Sequence, residues 1–277
     1  MKKMLKRLFL CFVLIAALTA GYAFWIEPSR LVVKELSLST DKFTGQYRIL
    51  FFTDTHFGKY YSTEKARALA QLIDRQNPDL VIFGGDLFDN YARDRQLLDT
   101  EELRDAFASI EAPFGKYAVF GNHDYGGGAE RIYRSFFESC GFQVLQNETA
   151  APAGLPFSIT GYDDALLGRA DPEGYALSGE GFRLVISHEP ARVNSVSGDA
   201  PFFMLSGHTH GGQVSLPILT ELVLPPGSGA FRKGLYTFAG EERGLFVSSG
   251  IGTTGLPIRL FNTPEVVCID LVGNGME

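Results

Sequence analysis

Seven short runs of aliphatic, β-branched and aromatic residues recur along the chain, and most close on Gly, Asp or His. They are RILFFTD (48–54), LVIFGGD (80–86), YAVFGNHD (117–124), RLVISHE (183–189), FFMLSGH (202–208), LFVSSG (245–250) and VVCIDLV (266–272). Unbroken apolar runs of this length read as strands covered on both faces. Helical periodicity fills some of the gaps. Ala66, Leu69, Ala70 and Ile73 follow an i, i+3, i+4, i+7 spacing, and their helix should stop before Asn77-Pro78. Leu103, Ala106, Phe107 and Ile110 repeat the spacing behind a Thr100 N-cap, with Glu101 and Glu102 in the first turn. Tyr133, Phe136, Phe137 and Cys140 do so again, with Gly141 as the C-cap. The order β-α-β-α-β-α, then mostly strand, predicts layered α/β structure with a strand-rich second half. A chain of 277 residues, 45% of them hydrophobic, can bury the core of one such domain.

The N-terminus has a different character. Residues 8–26 carry no charge, follow Lys2, Lys3, Lys6 and Arg7, and end among Tyr22, Phe24 and Trp25. At about 1.5 Å per residue, this stretch just spans a hydrocarbon core of roughly 30 Å. The positive-inside rule keeps the basic end in the cytoplasm and sends everything after Glu27 across the membrane. The domain division that follows is an anchor or signal segment at 1–26, a linker and first strand at 27–47, and a folded domain at 48–277. The expected location is a single-pass membrane protein with its domain outside. The alternative is export after cleavage behind Gly21-Tyr22-Ala23. Beyond the four N-terminal cations the chain carries 21 basic against 32 acidic groups, a formal −11, which repels a polyanion. Nucleic acid is therefore not an expected partner, and nothing in the sequence fixes an oligomeric state. Cys11, Cys140 and Cys268 read as buried small hydrophobes rather than ligands or a disulfide.

The chemistry lies just past the strand ends. All five histidines fall there: His56 in FTDTHFG, His123 in FGNHDYGGG, His188 in ISHEP, and His208 and His210 in SGHTHGG. Asp54 and Asp86 occupy equivalent positions. Taken singly, each motif is an ordinary turn cap or strand exit. Jointly they leave no histidine over, and open α/β sheets gather ligands at the carboxyl ends of strands. Imidazole nitrogen, carboxylate and one amide oxygen suit Mn, Fe or Zn, while the lack of cysteine argues against a structural thiolate zinc site. Seven such groups exceed the needs of one tetrahedral ion and fit two ions sharing a carboxylate.

In order, Asp54-Thr55-His56, Gly85-Asp86, Gly121-Asn122-His123-Asp124, His188 and Gly207-His208-Thr209-His210 resemble the signature of the calcineurin-like metallophosphoesterases. The tail GIGTTGLPIRLFNTPEV (250–266) and the apolar N-terminus are similar to a bacterial, membrane-associated phosphodiesterase-like branch. The resemblance implies a four-layer αββα sandwich of two mixed sheets. It also implies one metal held by Asp54, His56, Asp86 and His210, and a second by Asp86, Asn122, His188 and His208. Asp86 would bridge the pair, opposite a solvent hydroxide. Two divalent ions, with Mn expected and Fe or Zn as alternatives, two carboxylates and one hydroxide leave about +1, a field suited to one phosphoryl group. His123, unused by either shell, would be the general acid, with Asp124 or Asp89 as orienting partner.

The expected function is a phosphodiesterase at the membrane or cell envelope. Its substrate would be a phosphoester that could be lipid-linked, met at high effective concentration by a tethered domain. The loop at 216–234 would either offer apolar surface to an acyl chain or pack on its own domain. One alternative is a pyrophosphatase of a UDP-linked diacyl sugar, a lipid A precursor. Another is a non-catalytic scaffold on the same fold.

Overall fold

A computed structural model describes residues 1–171, 177, 179, 181–218, 220–238 and 242–275 of the chain. Helix α1 (Lys2–Gly21) buries none of its side chains. It continues through a π-turn (Tyr22–Ile26) and a 3-10 turn (Glu27–Ser29). The segment is long and apolar enough to be a membrane span or a signal sequence. Cys11 sits exposed on it, so the expectation of a buried thiol fails there, since none of the described residues buries that helix; Cys140 and Cys268 are buried.

The body contains two six-stranded sheets. The first is built from β1 (Val32–Thr40), β2 (Thr44–Phe52), β3 (Leu80–Phe83), β4 (Lys116–Ala118) and β5 (Phe142–Val144), together with the C-terminal strand Glu265–Asn274. That last strand, β12 of the chain, lies between β1, to which it is parallel, and β2, to which it is antiparallel; β2 to β5 then follow in parallel. The second sheet contains β6 (Glu148–Ala150), β7 (Ser158–Gly161), β8 (Arg183–Ile186), β9 (Phe202–Ser206), β10 (Gly234–Thr237) and β11 (Arg243–Val247). Its order is β10-β11-β9-β8-β7-β6, with β11, β9, β8 and β7 parallel and an antiparallel strand at each edge.

Two-residue alternation distributes the core. In β2, Ile49 and Phe51 point between the sheets, where they meet Leu80, Ile82, Leu184, Ile186, Leu205 and Val267. Leu50 and Phe52 point the other way, onto α2 (Ala66–Asp74), α4 (Thr100–Ala108) and α6 (Glu130–Ser139). Two shorter helices, α3 (Tyr91–Asp94) and α5 (Asn122–Gly126), lie near the strand ends. The outer face of the second sheet buries Val185, Met204, Leu245 and Val247 against Val193, Val196 and Phe231. That fourth layer is thin. Among the described residues it offers a 3-10 turn (Pro190–Asn194) rather than long helices.

All seven apolar runs are strands, and the three periodic helices form with the expected faces inward. Gly141 follows α6 with a φ of +78°, a conformation that glycine adopts without a Cβ clash. The N-cap of α4 differs from expectation. It is Asp99, whose carboxylate accepts the Glu102 N–H at 2.9 Å, and Thr100 is already the first helical residue. An aspartate one residue earlier reaches the free N–H of the third helical residue, which Thr100 cannot do from inside the helix. Asp99→Ala should therefore lower the melting temperature by about 2–4 °C, for a loss of about 1 kcal/mol. Thr100→Ala should leave it nearly unchanged, and thermal unfolding of the two variants side by side checks this.

Candidate metal centre

The carboxyl ends of β2, β3, β4, β8 and β9 meet on one side of the sandwich. Past them come Asp54 and His56, Asp86, Asn122 and His123, His188, and His208 and His210. Five of these adopt left-handed backbone angles: Asp54 (φ 52°), His56 (46°), Asp86 (60°), His208 (71°) and His210 (48°). For a non-glycine residue each such conformation costs on the order of 1–3 kcal/mol, and it persists only where the surroundings enforce it. They do so through main-chain bonds between the loops. The Asp54 N–H donates to the Gly85 carbonyl at 3.0 Å, the His56 N–H to Asp86 at 3.2 Å, and the Gly207 N–H to His188 at 3.1 Å. Two glycines permit the approach. A Cβ at Gly121 would stand 2.3 Å from Asp86 Oδ1, and one at Gly207 would stand 2.1 Å from Asp54 Oδ2.

Within this frame the side chains converge on two foci. At the first, His56 Nε2 and His210 Nε2 are 2.9 Å apart, and His210 Nε2 lies 3.4 Å from Asp54 Oδ1. Asp86 Oδ2 stands between the foci, 3.5 Å from His56 Nε2 and 3.2 Å from His188 Nε2. At the second focus, His188 Nδ1 is bound to the Gly84 carbonyl at 2.8 Å. That bond requires the proton on Nδ1 and leaves Nε2, buried and without a hydrogen-bond partner, aimed at the carboxylates. His208 follows the same logic. Its Nε2 meets the Pro226 carbonyl at 2.6 Å, so the lone pair on Nδ1 faces the Asn122 side-chain amide, whose Oδ1 lies 3.0 Å away. A cation resolves both arrangements. The residues present thus fit a pair of divalent ions, with Asp86 placed to touch both.

The electrostatics agree. Asp54, His56 and His188 are fully buried, and Asp86 nearly so. Burial raises the Asp54 carboxyl, but His210, the His56 bond and His188 outweigh it and hold Asp54 below the usual carboxylate range. Burial likewise opposes ionisation of Asp86, yet His188 and His123 keep it well below that range. Burial lowers His188, but Asp86 and Asp54 outweigh it and raise it, so the carboxylates call for positive charge at Nε2, which a cation can supply in place of a proton. Burial drives His210 the opposite way, toward its neutral, lone-pair form. Two adjacent carboxylates in a dry site demand positive charge between them, and dications have the required sign.

His123 and Asn122 are half-buried at the mouth. The His123 ring donates from Nδ1 to the Asp89 main-chain carbonyl at 2.6 Å, which leaves Nε2 for the cleft. That cleft, of about 330 Å³, is lined by Asp89, Arg93, Asn122, His123, Leu167 and Thr254. A narrower arm reaches His208, His210 and Val223. Asp89 thus touches His123 through its backbone, while its carboxylate lies 3.6 Å from His56 Nδ1 and pairs with Arg93. Asp124 does not reach the His123 ring. Its buried carboxylate accepts the N–H groups of Asp86 (2.9 Å), Leu87 (3.0 Å) and Gly121 (2.9 Å), binding two ligand loops together.

Several contributors carry no motif. Thr53 Oγ1 donates to Asp54 Oδ2 at 2.8 Å, and Asn262 Nδ2 donates to the His210 carbonyl. Arg259 is fully buried, and its guanidinium ties the Ser249, Gly250 and Gly252 carbonyls, at 2.8, 3.2 and 2.6 Å, beneath Asp54. The one sequence signal for the last two is an arginine and an asparagine inside the Gly- and Leu-rich tail.

Residues 47–212 match the family of calcineurin-like phosphoesterases. Over 292 residues, covering 98% of this chain and 99% of the relative, it is 34% identical to the uncharacterized metallophosphoesterase YkuE of Bacillus subtilis (strain 168). It is 30% identical to the phosphodiesterase YaeI of Escherichia coli (strain K12), over 91% of this chain and 92% of that one. It is also 30% identical to the uncharacterized metallophosphoesterase YkoQ of B. subtilis, over 84% and 88%. With two mixed sheets, a cluster of buried carboxylates and imidazoles at their strand ends, and this match, the chain belongs to the calcineurin-like metallophosphoesterases, hydrolases of phosphoesters that use divalent metal ions.

Proposed function

We propose that this protein is a binuclear metal-dependent phosphodiesterase acting at a membrane surface, with manganese as its working ion and iron or zinc as alternatives. The observation that carries the reading is the pair of foci with imidazole lone pairs turned inward around Asp86. Asp54, His56, Asp86 and His210 would hold one ion, and Asp86, Asn122, His188 and His208 the other. The bound pair supplies Lewis acidity toward phosphoryl oxygens and a nucleophilic water at neutral pH. The chain supplies the rest. Asp89 orients His123 through its main-chain carbonyl, so that Nε2 protonates the departing oxygen. Asp124 holds the Asp86 and Gly121 loops at fixed separation. With no donor lost and His123 facing the cleft, the arrangement favours an enzyme over a scaffold. The likeness to YaeI, named a phosphodiesterase, supports diester chemistry here.

The same reading divides the chain at 26 and 47. It takes 1–26 as an anchor with its basic end in the cytoplasm, 27–47 as a leading segment that contributes β1, and 48–277 as the catalytic domain, of which residues 172–176, 178, 180, 219, 239–241 and 276–277 lie outside the described residues. Protease added to spheroplasts should then degrade the body and leave the N-terminus in the membrane. Complete protection would put the domain in the cytosol and favour the nucleotide-linked lipid.

Chelation should abolish hydrolysis of a model diester and Mn should restore it. Full activity in demetallated protein would refute the proposal. His123→Ala should retain both ions yet lose rate, most for poor leaving groups, because an activated leaving group needs little protonation. A loss that is equal across a leaving-group series removes His123 from that role. Asp86→Asn should lower metal content at both positions, since it deletes the shared charge. Asn122→Ala should weaken only the second. Metal-to-protein ratios of the two purified variants decide the bridging assignment.

A further inference from the structure

The end of the apolar helix is built into the body beside the metal centre. In the turns that follow α1, Ala23 and Glu27 are the buried residues, four apart and so on one face. The Ala23 carbonyl accepts the Arg259 N–H at 3.0 Å. The Glu27 carboxylate accepts the N–H groups of Phe261 at 2.9 Å and Asn262 at 2.6 Å. Trp25 and Ile26 point away, 75% and 52% exposed. If residues 8–26 span the hydrocarbon, the bilayer boundary falls at this grip. One helical turn is about 5.4 Å, so the segment 259–262 stands about one turn from that boundary.

Two loops extend from the grip to the mouth of the site. Leu260 bridges Val214, the Ser215 N–H donates to the Leu260 carbonyl at 2.8 Å, and Gln213 exchanges side-chain bonds with the Thr254 backbone at 3.0 and 2.9 Å. On these joined loops lie Ile218 (77% exposed), Val223 (65%), Phe261 (65%) and Leu256 (59%). They are four of the five most exposed large apolar side chains in the described body, too many on one rim to be incidental. Polar anchors stand beside them. Lys233 Nζ bonds the Phe261 carbonyl and Asn262 Oδ1, and Arg30 bonds the Tyr22 hydroxyl. Basic and amphipathic aromatic side chains at the end of a span are the pattern of a lipid headgroup layer. Thr254 and Gly255, next to Leu256, line the cleft with His123, and Val223 lines its narrow arm. The apolar rim is therefore the rim of the candidate active site.

We propose that the loops around 214–223 and 254–262 rest on the bilayer, so that the cleft opens into the headgroup layer and takes phosphodiesters carried by membrane amphiphiles rather than free solutes. The substrate class rests on the phosphodiesterase reading above; the docking does not.

The test uses the full-length protein in nanodiscs of phosphatidylcholine and phosphatidylglycerol, with Cys11→Ala and the buried Cys140 and Cys268 retained. Nitroxide labels on Ile218→Cys and Leu256→Cys should collide readily with dissolved oxygen and poorly with a water-soluble nickel chelate. A label on Ser135→Cys, exposed on α6, should show the reverse. Equal access of nickel to all three positions overturns the docking, as does shielding that disappears when the protein is diluted, which would mark a contact between copies. In a second arm, Leu256→Ser with Phe261→Ser should slow hydrolysis of hexadecyl p-nitrophenyl phosphate held in the nanodisc by about tenfold. Hydrolysis of soluble bis(p-nitrophenyl) phosphate should stay unchanged. Equal loss on both overturns the rim's role. A wild-type protein that holds two metals yet leaves both the soluble and the nanodisc-held diester intact counts against the phosphodiesterase reading alone, because the label depths are read without turnover.

Discussion

Two carboxylates buried side by side set the terms for the rest of this fold. Asp54 and Asp86 share a space closed to water, and neither can stay ionised there without positive charge close by. The imidazoles meet that demand unequally, since the carboxylates lift His188 while burial drives His210 to its neutral form. The surrounding structure acts to keep the carboxylates together. Thr53 and the His208 N–H bind Asp54, and the His123 N–H binds Asp86 at 2.8 Å. The left-handed turns at five donor residues store strain that the packing of two sheets must offset. A site held this firmly by the protein's own bonds loses little order on binding an ion.

Much of this was legible in the sequence because it depends on local pattern. Seven continuous apolar runs marked the strands at the heart of both sheets, and the polar residues just past them marked the site. Asp54, His56, Asp86, Asn122, His188, His208 and His210 lie together past the strand ends, with His123 at the mouth of the cleft. What escaped depends on pairing at a distance. β5, β6, β7 and β10 are three or four residues long and interrupted by polar residues or glycine, so no apolar run declares them. The choice between Asp99 and Thr100 as cap turned on a single hydrogen bond. Asp124, one residue from His123 in sequence, faces the ligand backbones instead of the ring.

The tail between β11 and β12 resembles a bacterial branch of the family in sequence, but its physical work is visible only in three dimensions. Arg259 is a buried cation with no carboxylate in contact among the described residues. Burial lowers its pKa to about 10, which still leaves it charged at neutral pH. Its partners are the main-chain carbonyls of the turn that passes under Asp54 and His56, so its charge lies behind the site and its donors fix the turn. Sequence pattern can flag a lone arginine among apolar residues but not what it holds, because backbone carbonyls leave no residue-type signature.

The same tail joins two parts of the protein that the sequence presents as separate. Glu27 closes the apolar N-terminal segment, and its carboxylate is satisfied by two N–H groups of the tail. One residue of that pair, Asn262, donates its side-chain amide to the His210 carbonyl. From the end of the helix to a candidate metal ligand is therefore a path of two hydrogen bonds through one residue. A buried carboxylate deprived of these donors would be costly, so the helix end and the tail hold each other in register. The orientation of the catalytic cleft relative to the helix is thus fixed by specific bonds, not left to a flexible linker.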